Sequence, residues 1–201
     1  GYDSAGIALH QKDKIAHLRT LGKVKLLEEK MISEKPKSNL GIAHTRWATH
    51  GEPSEENAHP HKSNERVYIV HNGIIENYIE LKKFLKEEGY NFSSQTDSEL
   101  IAHMIEYFLG EGNNMLDSMY LTKKKLDGAY AIAAIDKEDD TKIIIARSKS
   151  PLLIGIGKHG SLAASDPIAI SGLTNKFVFL EDGDVAEISS TEYKIYDASK
   201  N

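Results

Sequence analysis

Apolar and polar positions alternate loosely over residues 5–9 and again over 14–19, on either side of a polar Gln11-Lys12-Asp13 stretch. A period of two interrupted by a turn is the pattern of a hairpin that buries one face. The period then changes. Over 24–32 the apolar residues recur at helical spacing, and Pro36 closes the segment before an apolar run at 40–45 that reads as a buried strand. Residues 46–64 follow neither period. They read as a long ordered loop, the kind of segment that in a compact domain usually carries a binding site.

Residues 67–70 are expected to form a strand. Residues 76–88 should form an amphipathic helix with Ile79, Phe84 and Leu85 on its apolar side and Gly89 as its stop. Thr96-Asp97-Ser98-Glu99 has the form of a capping box and predicts a helix over 99–109. A further helix is expected over 115–126. After Gly128 the chain turns to β-branched runs at 129–135, 142–147, 151–156, 176–180 and 184–188, with turn chemistry at 157–160 and at Asp182-Gly183-Asp184. With no internal repeat, the economical reading is a single α+β domain with mostly antiparallel sheets.

Composition and charge change the picture further. A hydrophobic content of 40% with 27% charged residues fits a packed soluble globule. The net charge of −5 opposes binding to a phosphate backbone, so no nucleic-acid partner is expected. No apolar run approaches the roughly 18 residues that a spanning helix needs, and the first residues lack a secretory pattern, so no membrane association and a cytoplasmic location are expected. Cysteine is absent from the 201 residues, which removes disulfides, thiolate metal sites and a cysteine nucleophile from this stretch.

Candidate chemistry concentrates between positions 44 and 71. His44, His50, His59, His61 and His71 fall within 28 residues, together with Glu52, Glu55 and Glu56. Neutral imidazole is a common zinc ligand, and His59-Pro60-His61 places two rings on one side of an extended segment. No helical H-E-x-x-H spacing accompanies them, so no metal is expected. Arg46 offers a planar fork for a carboxylate; its plain alternative is a structural salt bridge, with Trp47 as core filler. His71-Asn72-Gly73 follows an apolar strand, and Asn-Gly is a common hairpin turn. The next segment reads as helix rather than a returning strand, which leaves Asn72 and the Gly73 amide at an exposed strand end, able to form an oxyanion hole. Asp97 either caps a helix dipole or receives an ammonium group. Together these groups describe an amino-acid pocket.

The strings GYDSAGIA (1–8), GIAHTRWATHGEPSEENAHPH (41–61), VHNGIIENY (70–78) and QTDSELIAH (95–103) resemble those of class II, N-terminal-nucleophile glutamine amidotransferases, most closely the glucosamine-6-phosphate synthase branch. The likeness continues through LDGAYAIAAID (126–136), ARSKSPLLIGIG (146–157) and FVFLEDGDVAEI (177–188). The resemblance implies a four-layer αββα sandwich with two antiparallel sheets between helical layers, working without a cofactor or metal. It also implies acyl transfer from glutamine. An N-terminal cysteine attacks the side-chain amide, ammonia leaves, and water hydrolyses the glutamyl thioester to glutamate.

By match of motif, Arg46 and Asp97 would hold the substrate's α-groups, with Thr49, His50 and Gly73 adding contacts. Asn72 and Gly73 would form the oxyanion hole. Trp47 corresponds to the residue that gates ammonia passage, and His59 lies in the loop tract lining the glutamine site. The chain starts at Gly1 with no cysteine, so residues 1–196 are expected to be the glutaminase domain without its N-terminal strand and nucleophile. Residues 197–201 would begin a linker to sugar isomerase domains that bind fructose 6-phosphate in a homodimeric parent enzyme. Two alternatives stand beside this reading: a glutamine- or glutamate-binding module without turnover, and the glutaminase domain of another class II amidotransferase.

Overall fold

A computed structural model describes residues 2–47, 51–158 and 160–200. The first hairpin forms as expected: β1 (Ser4–Gln11) and β2 (Lys14–Leu21) pair antiparallel from Ser4↔Leu21 to Gln11↔Lys14. β3 (Gly41–Arg46) lies on the other side of β1, with Gly6 opposite His44 and Ser4 opposite Arg46. Helix α1 (Val24–Glu34) packs on the outer face of this three-stranded sheet through Leu27, against Ala5 and Leu18. The remaining apolar positions of α1 bury little, and Val24, Leu26 and Ile32 are exposed.

The loop predicted over 46–64 ends in a short strand, β4 (His61–Ser63), which pairs with the start of β5 (Val67–Ile75). Three residues with mixed polarity give no readable period, so β4 escapes sequence patterning. β5 also runs further than predicted. Asn72 and Gly73 make neither a turn nor a strand end: they continue the ladder opposite Ala131 and Tyr130 of β6 (Gly128–Asp136), and helix α2 (Tyr78–Glu87) begins only after Ile75. Glycine is required at this point. Gly73 has φ +132°, and a Cβ there would lie 1.9 Å from the Ala129 carbonyl oxygen.

The apolar face of α2 is set by Leu81 and Leu85, while Ile79, expected on that face, is 70% exposed. Helices α3 (Glu99–Gly110) and α4 (Met115–Lys125) follow. The capping box ahead of α3 does not form. Ser98 makes no side-chain cap, and the Glu99 carboxylate instead accepts from the amides of Ser93 at 2.8 Å and Ser94 at 2.6 Å. Thr96 and Asp97 are likewise drawn to partners on β4 and β5, so buried tertiary bonds displace the local motif.

β7 (Asp139–Ser148), β8 (Leu153–Gly157), β10 (Phe177–Phe179) and β11 (Val185–Ser189) match the predicted runs; β9 (Gly160–Ala164) and β12 (Tyr193–Tyr196) were not predicted. A six-stranded sheet has the order β12-β11-β7-β6-β5-β4, and a second three-stranded sheet has the order β10-β8-β9. The main core lies between the six-stranded sheet and α2–α4, around Ile69, Leu100, Ile105, Met119 and Ile132. On its other face this sheet packs against both three-stranded sheets, through Ala8, Ile42, Tyr68 and Ile135 on one side and Ile145, Leu152, Ile154 and Leu180 on the other. The outer layer is α1 together with a 3-10 turn at Pro167–Ile170, against which Gly155 of β8 packs closely. The result is the predicted αββα sandwich, with one of its two sheet layers in two pieces. Asp197 and Lys200 dock on α4, where the Tyr120 hydroxyl donates to the Asp197 carbonyl at 2.7 Å and Lys200 pairs with Asp117. Among the described residues no helix is long and apolar enough to cross a membrane.

Candidate active site

The site forms where β3 faces β5 across the sandwich. Residues two apart on a strand share a face, so Ile42, His44 and Arg46 all point inward, as do Tyr68, Val70 and Asn72 of β5. His44 Nε2 meets Asn72 Oδ1 at 2.6 Å, which ties the two sheets together at this point. Arg46 is buried, and its guanidinium donates to Asp3 Oδ2 at 3.0 Å and to the Gly51 carbonyl at 3.2 Å. The salt bridge weighed as the plain alternative is therefore present, with Asp3 as the partner that the sequence did not reveal. Trp47, by contrast, is no core filler. It is 69% exposed and meets the Tyr2 ring edge to face at a centroid distance of 6.4 Å.

Asp97 approaches from the opposite side. It is buried at the entrance of α3, and its Oδ2 accepts the Ile75 amide at 2.8 Å; Oδ1 receives a long bond of 3.4 Å from the Ser98 hydroxyl. This contact also orients the backbone of β5. The Ile75 N–H leaves the ladder for Asp97, on the edge of β5 away from β6. β4 pairs with β5 only as far as Ile69, so among the described residues that edge has no strand neighbour at Gly73. Asn72 and Gly73 are both exposed there.

The loop after Arg46 is anchored by groups whose role the sequence did not show. Asn57 donates to the Glu52 carbonyl at 2.8 Å and accepts from the Gln95 amide at 2.8 Å, tying the loop to the segment that leads to Asp97. Gly6 allows the loop to approach, since a Cβ there would lie 2.1 Å from the His59 carbonyl oxygen. His59 is buried beneath the site with its ring 4.2 Å from His44 and 4.6 Å from His61. Thr49 and His50 lie outside the described residues.

These histidines are neutral. Burial lowers His44, and it drives His59 well below the ordinary value, helped by the other rings and Arg46. Burial likewise takes His61 to about 3, with Glu99 opposing, and His71 to about 4, with Asp97 opposing. His61 bonds Thr96 at 3.1 Å and His71 bonds Ser98 at 2.8 Å, so both rings serve as neutral hydrogen-bonding groups. Among the described residues no group of three or more His, Cys, Asp or Glu side chains is arranged to hold a metal. What the site does combine is a cationic fork, uncharged donors on an open strand edge, and a carboxylate.

A family model described as "Glutamine amidotransferase domain" matches residues 44–171, the stretch that holds Arg46, Asn72, Gly73 and Asp97. The chain belongs to this amidotransferase family. It is similar to the glutamine–fructose-6-phosphate aminotransferase (isomerizing) of Haemophilus ducreyi, 49% identical over 197 residues, covering 98% of this chain and 32% of that protein. The corresponding enzyme of Haemophilus influenzae is 49% identical over 203 residues, covering 100% of the chain and 33% of that protein. The chain thus spans about a third of the length of the curated relatives it matches. Among solved structures, the glutamine phosphoribosylpyrophosphate amidotransferase of Bacillus subtilis has a TM-score of 0.83 and 26% identity, over 100% of this chain and 44% of that one. A class-II glutamine aminotransferase domain protein from Silicibacter pomeroyi shares the amidotransferase fold, with a TM-score of 0.70 at 15% identity over 96% of this chain and 90% of that one.

Proposed function

We propose that the chain is the glutamine-hydrolysing part of a glutamine–fructose-6-phosphate aminotransferase. What supports this is the amidotransferase family match over residues 44–171, together with two bonds on β5: His44, two residues before Arg46 on β3, bonds Asn72, and Asp97 accepts the Ile75 amide. Arg46 binds the substrate α-carboxylate with its fork, and Asp97 receives the α-ammonium on Oδ1. The side-chain carbonyl then lies against Asn72 and the Gly73 amide, two uncharged donors suited to the charge that develops on its oxygen. Trp47, Thr49, His50 and His59 complete the surroundings, with Trp47 bordering the path of released ammonia.

The nucleophile is a cysteine supplied by chain outside these 201 residues. Its thiolate adds to the amide carbon, the tetrahedral intermediate expels ammonia, and water cleaves the resulting thioester to glutamate. In the complete protein, a cytoplasmic homodimer, the ammonia is used on fructose 6-phosphate by sugar isomerase domains reached through a linker beginning near residue 197.

The test is kinetic and uses the full-length protein. Arg46→Ala raises the glutamine KM, because the carboxylate contact acts in ground and transition states alike. Asn72→Ala lowers kcat on the order of 10²-fold or more. An unchanged KM for the first removes Arg46 from the pocket, and normal turnover for the second removes the oxyanion role. A second reading is a glutamine- or glutamate-binding module without turnover. On that reading the full-length protein binds glutamine in calorimetry and releases no ammonia.

A further inference from the structure

An asparagine amide has two ends of opposite character, and only its NH₂ end stabilises an oxyanion. Asn72 is exposed at the strand edge, so nothing in β5 itself decides which end faces the substrate. The decision comes from β3. His44 Nε2 lies 2.6 Å from Asn72 Oδ1, and a ring nitrogen beside a carbonyl oxygen bonds only if it carries the proton. That bond holds the amide oxygen inward and leaves the NH₂ end toward the open side. The opposite tautomer would accept from the NH₂ group and turn the oxygen outward, against the developing negative charge.

The surroundings of His44 suit this task. Its backbone is fixed opposite Gly6 in the β1–β3 ladder, and its ring packs on His59 at 4.2 Å with a tilt of 34°. The His59 ring is held in turn against His61. Burial lowers His44, against the opposing hydrogen bonds to Asn72 and the His71 backbone, and so favours the uncharged ring, which donates one proton without placing a cation behind the oxyanion hole.

We infer that His44 is a positioning residue for glutamine hydrolysis: by donating from Nε2 to Asn72 Oδ1 it sets the orientation in which Asn72 can donate to the substrate oxyanion. This rests on the reading of Asn72 as an oxyanion donor.

The experiment is a mutant cycle in the full-length protein, with kcat and KM for glutamine and the melting temperature measured for each variant. His44→Leu removes the donor, and kcat should fall about tenfold, the size of one net hydrogen bond, with KM within twofold. His44→Gln, whose amide nitrogen can reach the place of Nε2, should recover most of that loss. The double variant His44→Leu/Asn72→Ala should be no slower than Asn72→Ala alone, because the positioning has nothing left to position. A full-rate His44→Leu beside a slow Asn72→Ala overturns the inference and leaves the oxyanion reading standing. Multiplicative losses in the double variant, or a His44→Gln protein as slow as His44→Leu at equal melting temperature, overturn it as well. A normal kcat for Asn72→Ala sinks the underlying reading instead.

Discussion

Arg46 Nη1 lies 3.0 Å from Asp3 Oδ2, and the two side chains are 6% and 17% exposed. The proposed receptor for the substrate carboxylate therefore has a resident carboxylate at its side, from the residue just ahead of β1, the strand next to its own. Asp3 also donates its backbone N–H to the Arg46 carbonyl at 3.0 Å, so the two residues are joined through main chain and side chain.

This pairing predicts the effect of Asp3→Ala. Removing one partner of a shielded pair strands the other charge, and the expected loss is about 2 to 3 kcal/mol, near the lower end for buried pairs because Asp3 is not fully enclosed. The guanidinium also loses an anchor, so the glutamine KM of the full-length protein should rise. Chemical denaturation and steady-state kinetics check the two effects. Unchanged stability with unchanged KM would mean that the pair neither supports the fold nor orients Arg46.

Gly73→Ala should be among the most damaging single-methyl changes in the chain. The new Cβ would meet the Ala129 carbonyl oxygen at 1.9 Å on a backbone of φ +132°, so β5 and β6 must separate locally. A loss of about 3 kcal/mol is expected, with little glutaminase activity remaining. Thermal unfolding measures the first, and a melting temperature equal to the parent's would show that the strand relaxes without cost.

The buried histidines predict a pH dependence of stability. His61 and His71 lie at about 3 and about 4 when folded, and His17, also lowered chiefly by burial, lies at about 4, whereas an unfolded histidine titrates near 6.5. Below pH 6.5 the unfolded chain therefore binds protons that the folded chain refuses, and stability falls as pH drops toward 4, by up to about 1.4 kcal/mol per pH unit for each such group. Denaturation midpoints measured between pH 7 and 4.5 should decline steadily. His71→Asn should flatten the slope even where it lowers stability overall, and a slope that it leaves unaltered would show that His71 does not titrate in this way.

Trp47→Ala separates gating from packing. An exposed tryptophan with an edge contact should cost no more than about 0.5 kcal/mol on removal, against about 3 to 5 for a buried one. If Trp47 borders the ammonia path, the full-length variant should release more free ammonia for each glutamine consumed while its glutamine KM stays near normal. Parallel assays of ammonia and amino-sugar product read this directly. An unchanged ratio would remove Trp47 from the path.

Residue patterning alone was enough for the elements whose periods are long and regular. The β1–β2 hairpin, helix α2 and the β-branched strands after Gly128 follow from apolar spacing and turn residues, because burying one face of such an element requires that spacing. The motif strings around Arg46, Asn72 and Asp97 were equally legible, and the family they resemble is the one to which the chain belongs.

How those groups are arranged follows from long-range contacts. The sequence pattern made Asn72-Gly73 a strand end, whereas pairing with β6 carries them inside the ladder. It made Thr96 to Glu99 a cap, whereas β4, β5 and the preceding loop claim those side chains. Asp3 sits 43 positions from Arg46, and His44 sits 28 from Asn72. Local propensity cannot register bonds at that separation, since they exist only once β1, β3 and β5 have been brought together, and within the sandwich they outweigh the weaker preferences of a turn or a cap.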